Sequence, residues 1–374
     1  MQLNLLLRFK LQLNNSSLKF GIMKKNILFV LIAISTLVSS SNPGHSENKK
    51  TIKKYLSSWN ETRIDTTFSI NILVDYVKKV TGSGSDAVPE DDRIAVFDMD
   101  GTLACERPFS MELYFAYDLA FGRIPNCSDS VKQLQGAVLN AFNGYLPGSI
   151  VSDSIVALTT RNTRTIVNSC IPKENPEDRV LSKQFYQPMI ELIHYLLVNK
   201  FQIYIVSGSS QQFIWGIVKN VETLNQLPPS HIIGSLQKYK TITHLKGKGP
   251  EFYIDSENFL SNVSSGKAIN IYNRIGKKPI LAFGNTVNDF DMFSLTSSNT
   301  KHPTLCVLIN HDSDSMEEAY PAYKTSYKVC ENWNQEPYCS QNWSFDIFKE
   351  IMNKQGWYIA NMSECFKYNS VFIK

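Results

Sequence analysis

The sequence predicts an α/β fold, a Rossmann-like parallel sheet flanked by helices and carrying an inserted helical cap domain. Three observations support this. Short apolar runs that read as buried strands recur at 93–98, 201–206, 279–283 and 304–309. Stretches with helical spacing of apolar residues separate them, and strand alternating with helix implies parallel strands covered on both faces. The chain between Leu103 and Pro188 is helical in pattern and too long for a loop, which places an insertion there.

The elements follow in order. Residues 1–45 are an N-terminal extension and signal peptide: Met23-Lys-Lys-Asn carries two positive charges, Ile27 to Val38 is almost wholly apolar, and Ser39-Ser-Ser-Asn-Pro supplies small residues and a turn. Met23 is read as the start, because residues 1–22 match no targeting pattern. The apolar stretch falls short of the roughly 20 residues needed to span a bilayer, so an exported, periplasmic or secreted, product with no stable membrane span is expected. Residues 46–104 open the core domain. A helical pattern of Ile70, Leu73, Val74, Tyr76 and Val77 ends at Gly82-Ser-Gly-Ser-Asp86, and the strand 93–98 follows. Residues 105–187 form the helical cap, with 111–121 and 131–145 its clearest helices.

The rest of the core, 188–323, alternates. It is read as helix 188–200, strand 201–206, helix 211–222, an irregular hairpin-like region 231–260, helix 267–275, strand 279–283, helix 289–296 and strand 304–309. Residues 324–374 are a C-terminal extension expected to pack on the core. In such a sheet ligands bind beyond the carboxyl ends of the strands.

Composition narrows the function. The net charge of +4 is small, and no Lys/Arg run exceeds two residues, so nucleic acid is not an expected partner. Seven cysteines is an odd number, and export permits disulfides. Cys306, inside an apolar run, reads as a buried thiol, and Cys330 with Cys339 as a disulfide across a segment without periodicity. There is no Cys-x-x-Cys, and the six histidines do not cluster with cysteines, which leaves zinc without support.

The chemistry concentrates at the tip of the first strand. In Ile94-Ala-Val-Phe-Asp-Met-Asp-Gly-Thr-Leu103, Asp98 and Asp100 lie two residues apart, so an extended backbone points both the same way, and Gly101 lets the chain turn off at once. Two carboxylates in one small site suit Mg²⁺, a hard cation that takes oxygen ligands, and one of them can attack phosphorus. The alternative for a lone Asp-Gly is an Asx turn.

In these residues the chain resembles the haloacid dehalogenase superfamily of phosphohydrolases, whose first motif is Asp-x-Asp-x-Thr. Three further motifs match in order: a strand ending in Ser207, a lysine at a helix start in Ser265-Gly-Lys267, and the acidic cluster of Gly284-Asn-Thr-Val-Asn-Asp289-Phe-Asp291. Within the superfamily the likeness is greatest to exported phosphatases of the phosphoserine and phosphorylcholine type, through Trp59, Cys105-Glu-Arg-Pro and the Gly-Asn-x-x-x-Asp form of the fourth motif.

The resemblance implies a Mg²⁺-dependent phosphomonoesterase that hydrolyses a small phosphorylated metabolite through an aspartyl-phosphate. Asp98 would be the nucleophile and Asp100 the general acid and base, with Ser207 and Lys267 stabilising the phosphoryl group. Thr102 and Gly208 would shape the phosphate-binding loops. Asp98, the backbone carbonyl of Asp100, Asp289 and Asn285 would hold the metal, and Asn285 departs from the aspartate more common at its place. Asp291 either ligates or caps the following helix. A phosphomutase of the same superfamily and a non-catalytic binding protein are the alternatives.

Other features read more plainly. His194 is expected half-buried on its helix, and Tyr114, Phe115, Tyr117 and Phe121 as core packing rather than a cage for a quaternary ammonium. Leu245 to Pro250 reads as a basic turn. Glu106 either reads a substrate amine or holds the cap hinge.

Overall fold

Parallel strands at the centre of the sheet lie in register, and this alignment builds the site. The structure is a computed structural model describing residues 43–61, 68–106, 110–112, 115, 183–242, 251–317, 319–320, 324–327 and 341–368. The expected leader up to residue 42, most of the expected cap, the expected turn at 245–250, and Cys127, Cys170, Cys330 and Cys339 lie outside the described residues. The chain divides into two compact units, Met1–Lys49 and Lys50–Lys374. The first is described only from Pro43, where helix α1 (Pro43–Tyr55) begins; the second holds the sheet and the site.

Helix α2 (Ile70–Thr81) starts where the Ser69 side chain accepts the Asn71 N–H, and it gives way at Gly82 as the sequence predicts. Strand β1 is Ile94–Phe97, α3 Gln187–Val198, β2 Gln202–Ser210, α4 Gln211–Val218, β3 Ile232–Ile242 and β4 Glu251–Leu260. Next come α5 (Ser265–Ile275), β5 (Leu281–Gly284), α6 (Phe290–Ser297) and β6 (Leu305–Asn310). Strands β7 (Lys324–Tyr327) and β8 (Gln341–Ser344), helix α7 (Phe345–Lys354), β9 (Tyr358–Asn361) and the short α8 (Met362–Cys365) complete the described chain.

Among the described residues the main sheet has the order β4-β3-β2-β1-β5-β6-β9, parallel throughout except for the antiparallel edge strand β4. The α/β parallel-sheet expectation therefore holds. Two differences stand out. The region expected to be irregular, 231–260, is a regular pair of strands, and β3 extends the parallel sheet beside β2. The C-terminal extension supplies β9, a strand of the sheet itself. The helical pattern of Ile70 to Val77 falls within α2, and α1 precedes it.

The pleat sorts the strand residues onto two faces. Ala95, Phe97, Ile203, Ile205, Leu281 and Phe283 point to one side, where Leu73, Val74 and Val77 of α2 and Leu192, Ile193 and Leu196 of α3 meet them. Val96, Val206, Ala282, Cys306 and Leu308 point to the other, against Ile271 of α5, Met292 and Phe293 of α6, and Phe348 and Met352 of α7. Burial on both faces is why these strands read as continuous apolar runs. Cys306 is a buried free thiol as expected, and burial pushes it up; Cys105 and Cys365 are also free and buried. No helix among the described residues is long and apolar enough to cross a membrane.

Trp59 locks the N-terminal segment onto this framework. It is fully buried, its indole N–H donates to the Pro188 carbonyl at 2.8 Å, and the Phe366 ring meets it edge-on at 4.8 Å. Replacing it removes the largest side chain of that corner and strands a buried carbonyl. Trp59→Ala should therefore cost about 3 to 5 kcal/mol in urea unfolding, as large-to-small core changes of this kind do. A loss below about 1 kcal/mol would show that the corner collapses around the void.

Candidate active site

Register brings the predicted residues together. Phe97 pairs with Ile205 on one side and Phe283 on the other, which brings Asp98 just past β1, Ser207 within β2 and Asn285 just past β5 to nearly the same height. The Asp98 N–H still donates to the Phe283 carbonyl at 2.9 Å, which makes Asp98 the last held residue of the ladder on that side. The chain then turns sharply, with the Gly101 N–H on the Ala104 carbonyl at 2.7 Å and the Leu103 N–H on the Met99 carbonyl at 2.8 Å. Gly101 has φ +74°, and a Cβ there would lie 1.9 Å from Asn285 Nδ2, so both backbone conformation and space demand glycine.

Lys267, at the start of α5 as predicted, reaches into the gap. Its Nζ lies 2.6 Å from Asp98 Oδ1 and 2.6 Å from Asp289 Oδ1, and all three side chains are buried. Burial works against the ammonium, but the Asp289 and Asp98 carboxylates overrule it and hold its pKa above the usual lysine range. Asp98 is pushed well up, by burial first and by Asp289 next, with Lys267 opposing. Asp289 is fixed from behind: its Oδ2 accepts the backbone N–H of Asn285 at 2.9 Å and of Thr286 at 3.1 Å. Gly284 leaves the room, since a Cβ there would sit 2.5 Å from Asp289 Cγ. Asp291 lies in the first turn of α6, where a carboxylate favours the helix dipole.

Asp100 faces β2. Its Oδ2 accepts the Ser209 hydroxyl at 2.9 Å and the Ser207 hydroxyl at 3.4 Å, and burial raises its pKa despite the Ser209 hydrogen bond. Beside it Glu112, at the root of the cap, accepts both the N–H and the hydroxyl of Ser210. Ser207 is itself pinned, because Asn262 donates to the carbonyls of Ser207 and Ile233, each at 2.8 Å. A cavity of about 330 Å³ opens here, lined by Asp98, Asp100, Glu106, Glu112, Gly208, Ser209, Lys267, Asn285 and others.

A buried polar layer backs the loop after Asp98. Thr102 donates to Asn285 Oδ1 at 3.3 Å, Asn285 Nδ2 donates to the Tyr320 hydroxyl, and His311 Nε2 donates to the Gly101 carbonyl at 2.7 Å. The Tyr320 ring stacks on His311 at 4.2 Å and 13°. Glu317 accepts the Glu106 N–H at 2.9 Å and the Tyr186 hydroxyl.

All the predicted site residues thus converge, apart from Asp291, whose place is on α6. Sequence reasoning missed Ser209, Glu112, Asn262, His311, Glu317 and Tyr320. Ser209 continued a motif already marked; the others carry no periodic signal and are joined to the site only by the fold. His194, expected half-buried, is exposed on α3 near Tyr55. Phe115 is buried against Phe213 at 5.7 Å, in keeping with core packing; Tyr114, Tyr117 and Phe121 lie outside the described residues.

The ion triad yields a prediction with a sign. Lys267→Met leaves Asp98 and Asp289 buried with no counter-charge, which should cost about 3 to 5 kcal/mol near neutral pH. The folded protein then holds protons that the unfolded chain releases above about pH 4, so stability falls as pH rises through that region. The deficit against wild type should shrink as pH is lowered from 7 toward 5. A deficit independent of pH in that range would mean the carboxylates are not the cause.

No protein-family model matches the chain, and no curated protein matches it. Among solved structures it is similar to a functionally unknown protein from Anaerococcus prevotii, at 14% identity and TM-score 0.40, covering 65% of this chain and 86% of that one. It is also similar to a phosphoserine phosphohydrolase-like protein from Francisella tularensis, at 15% identity and TM-score 0.30, covering 58% and 87%. A haloacid dehalogenase-like hydrolase from Streptococcus pneumoniae is similar at 12% identity and TM-score 0.31, covering 59% and 86%. At these TM-scores none of the likenesses bears on activity. The resemblance of this chain to haloacid dehalogenase-type hydrolases rests on its four motifs, at the ends of β1, β2 and β5 and the start of α5.

Proposed function

We propose that this chain is an exported, Mg²⁺-dependent phosphomonoesterase that works through an aspartyl-phosphate on Asp98. The observation that carries the reading is the division of labour between two neighbouring carboxyls in one cavity. Asp98 Oδ1 is clamped by the Lys267 ammonium, whose charge opposes the upward push of burial, while Asp100, buried and hydrogen-bonded to hydroxyls, has its pKa raised. The lysine leaves one Asp98 oxygen for attack, and the hydroxyl partners of Asp100 place that carboxyl to carry a proton.

In this mechanism Lys267 holds Asp98 Oδ1 and leaves Oδ2 to attack phosphorus in line. The ester P–O bond breaks as the P–O bond to Asp98 forms, and Asp100 gives its proton to the departing oxygen. Asp100 then takes a proton from the water that hydrolyses the aspartyl-phosphate, help typically worth about 10²- to 10⁴-fold. Ser207 and Lys267 donate to the phosphoryl oxygens, where charge is spread in the transition state. Thr102 and Gly208 shape the loops around them.

The donor set suits magnesium. Among the described residues no group of three or more His, Cys, Asp or Glu forms a metal cage. What the site offers is two buried carboxylates, Asp98 and Asp289, joined through Lys267 Nζ, together with the Asp100 carbonyl and the amide of Asn285 as neutral oxygens. A few oxygen ligands completed by water and substrate phosphate is the habit of Mg²⁺, which would supply charge neutralisation at the phosphoryl group. Among the described residues the cavity lining holds four carboxyls, Asp98, Asp100, Glu106 and Glu112, against one ammonium, which favours a small phosphoester carrying its own positive charge. An amino-alcohol or amino-acid phosphate has that chemistry.

Hydrolysis of an aryl phosphate by purified protein, with and without Mg²⁺, tests the reading; no turnover in either condition would reject it. The metal shell gives an ordered prediction. Asp289→Ala removes a charge and should raise the Mg²⁺ needed for half-maximal activity by about tenfold or more, whereas Asn285→Ala removes only a neutral oxygen that water replaces. Titrating both variants gives the order, and the reverse order would demote Asp289 to support of its neighbours.

A further inference from the structure

At the amino ends of the strands, opposite the candidate active site, lies a second cavity of about 320 Å³ whose charge is the reverse of the first. Asp92 precedes β1 by two residues, Lys277 and Lys278 precede β5, and Lys301 and His302 precede β6, so parallel pairing gathers them at one end. Among the described residues three ammonium groups line this cavity against one carboxylate, Asp92. Asp92 organises them. Its Oδ1 accepts Lys277 Nζ at 2.8 Å, and its Oδ2 accepts Lys301 Nζ at 2.8 Å and lies 3.1 Å from His302 Nε2. These partners, Lys277 first, hold its carboxyl well below the usual range, so it is anionic at neutral pH. Asn299 fixes the walls. Its Oδ1 accepts the backbone N–H of Lys301 at 3.0 Å and of His302 at 3.2 Å, while its Nδ2 donates to the carbonyls of Lys278 and Pro279 at 3.1 and 3.3 Å. One side chain thus ties together both segments that carry the lysines.

One carboxylate does not saturate this cluster. Each ammonium has three donors: Lys277 uses two, on Asp92 and the Asp91 carbonyl, Lys278 one, on the Ser298 carbonyl, and Lys301 one, on Asp92, which leaves five N–H groups. Lys277 and Lys301 are about half exposed or more, and ion pairs of that kind hold loosely enough to share an incoming anion. We propose that this cavity is a second ligand site, which takes a small, multiply charged phosphate-type anion. Phosphate oxygens only accept hydrogen bonds, and lysine binds them as a point charge. Asp92 then has two opposed effects: it gathers the lysines before the ligand arrives, and it competes with the ligand for their charge. The preference is the opposite of that of the cavity beside Asp98, where carboxyls outnumber the ammonium. Binding here involves no turnover, so it stands or falls separately from the phosphatase reading.

Pyrophosphate is the probe. Full-length protein in Mg²⁺-free buffer is acetylated lightly with acetic anhydride at rising pyrophosphate, and each lysine is read by peptide mass. Lys277, Lys278 and Lys301 should be protected together, and Lys219, exposed at the end of α4 and outside the cavity, should not. Pyrophosphate bound beside Asp98 would protect none of the three. The concentration for half-protection, read at Lys301, should fall about fivefold in Asp92→Asn and rise about fivefold in Lys278→Met, the size of one unit charge about 4 Å away in water. Should Asp92→Asn fold poorly, Lys278→Met decides, because its ammonium holds only the Ser298 carbonyl and its loss leaves the Asp92 contacts in place. Unchanged half-protection in Lys278→Met overturns the proposal. So does an absence of protection at millimolar pyrophosphate, equal protection of Lys219, or the same protection by sodium chloride at matched ionic strength.

Discussion

A single ammonium between two buried carboxylates is the constraint on which the site depends. Lys267 bridges Asp98 and Asp289 with 2.6 Å contacts at depth, where removing either partner leaves an uncompensated charge. Each member comes from a different element: β1's end, the start of α5, and the turn after β5. The triad can form only if the strands end in register and α5 starts beneath them, so the sheet, the helix start and the ion pair specify one another. The charge balance is also incomplete. Two carboxylates face one lysine, with Asp100 beside them, and this deficit is what the proposed Mg²⁺ would offset.

Behind the triad lies a layer that is polar but hidden. The nucleophile loop is held by His311 through the Gly101 carbonyl and by Asn285 through Thr102. Tyr320 connects Asn285 to Glu106. Such networks are costly if half-satisfied and rigid when complete. Rigidity is what the proposed in-line attack would require, because a misplacement of about 1 Å can cost about a hundredfold in rate. Asn285, neutral where an aspartate is more common, fits this layer: its amide both donates to Tyr320 and accepts from Thr102, which a carboxylate cannot do.

Much of this was legible in the sequence, for reasons that differ by residue. Asp98, Ser207 and Asn285 follow apolar runs at strand ends, so periodicity placed them, and Lys267 opens a helix whose start the Ser-Ser-Gly run marks. The strands of the sheet core were visible because burial on both faces leaves continuous apolar runs. What escaped has a common cause. Strand β3 was read as irregular because its outer half pairs with β4 rather than joining the buried core, and β9 was missed because four residues carry no period. His311, Glu317 and Tyr320 sit in a short irregular stretch after β6, and only tertiary contact gives them meaning. His194 shows the reverse error, a residue on an apolar helix that the fold turns to solvent.

The central claim is that Asp98 becomes covalently phosphorylated, and protein chemistry tests it most directly. Full-length protein mixed with a ³²P-labelled phosphomonoester and Mg²⁺, quenched in acid within milliseconds and mapped by peptide mass, should carry the label on Asp98. The Asp98→Asn protein should carry none. Hydrolysis that proceeds with no label on the protein, or with label on any other residue, would contradict the account.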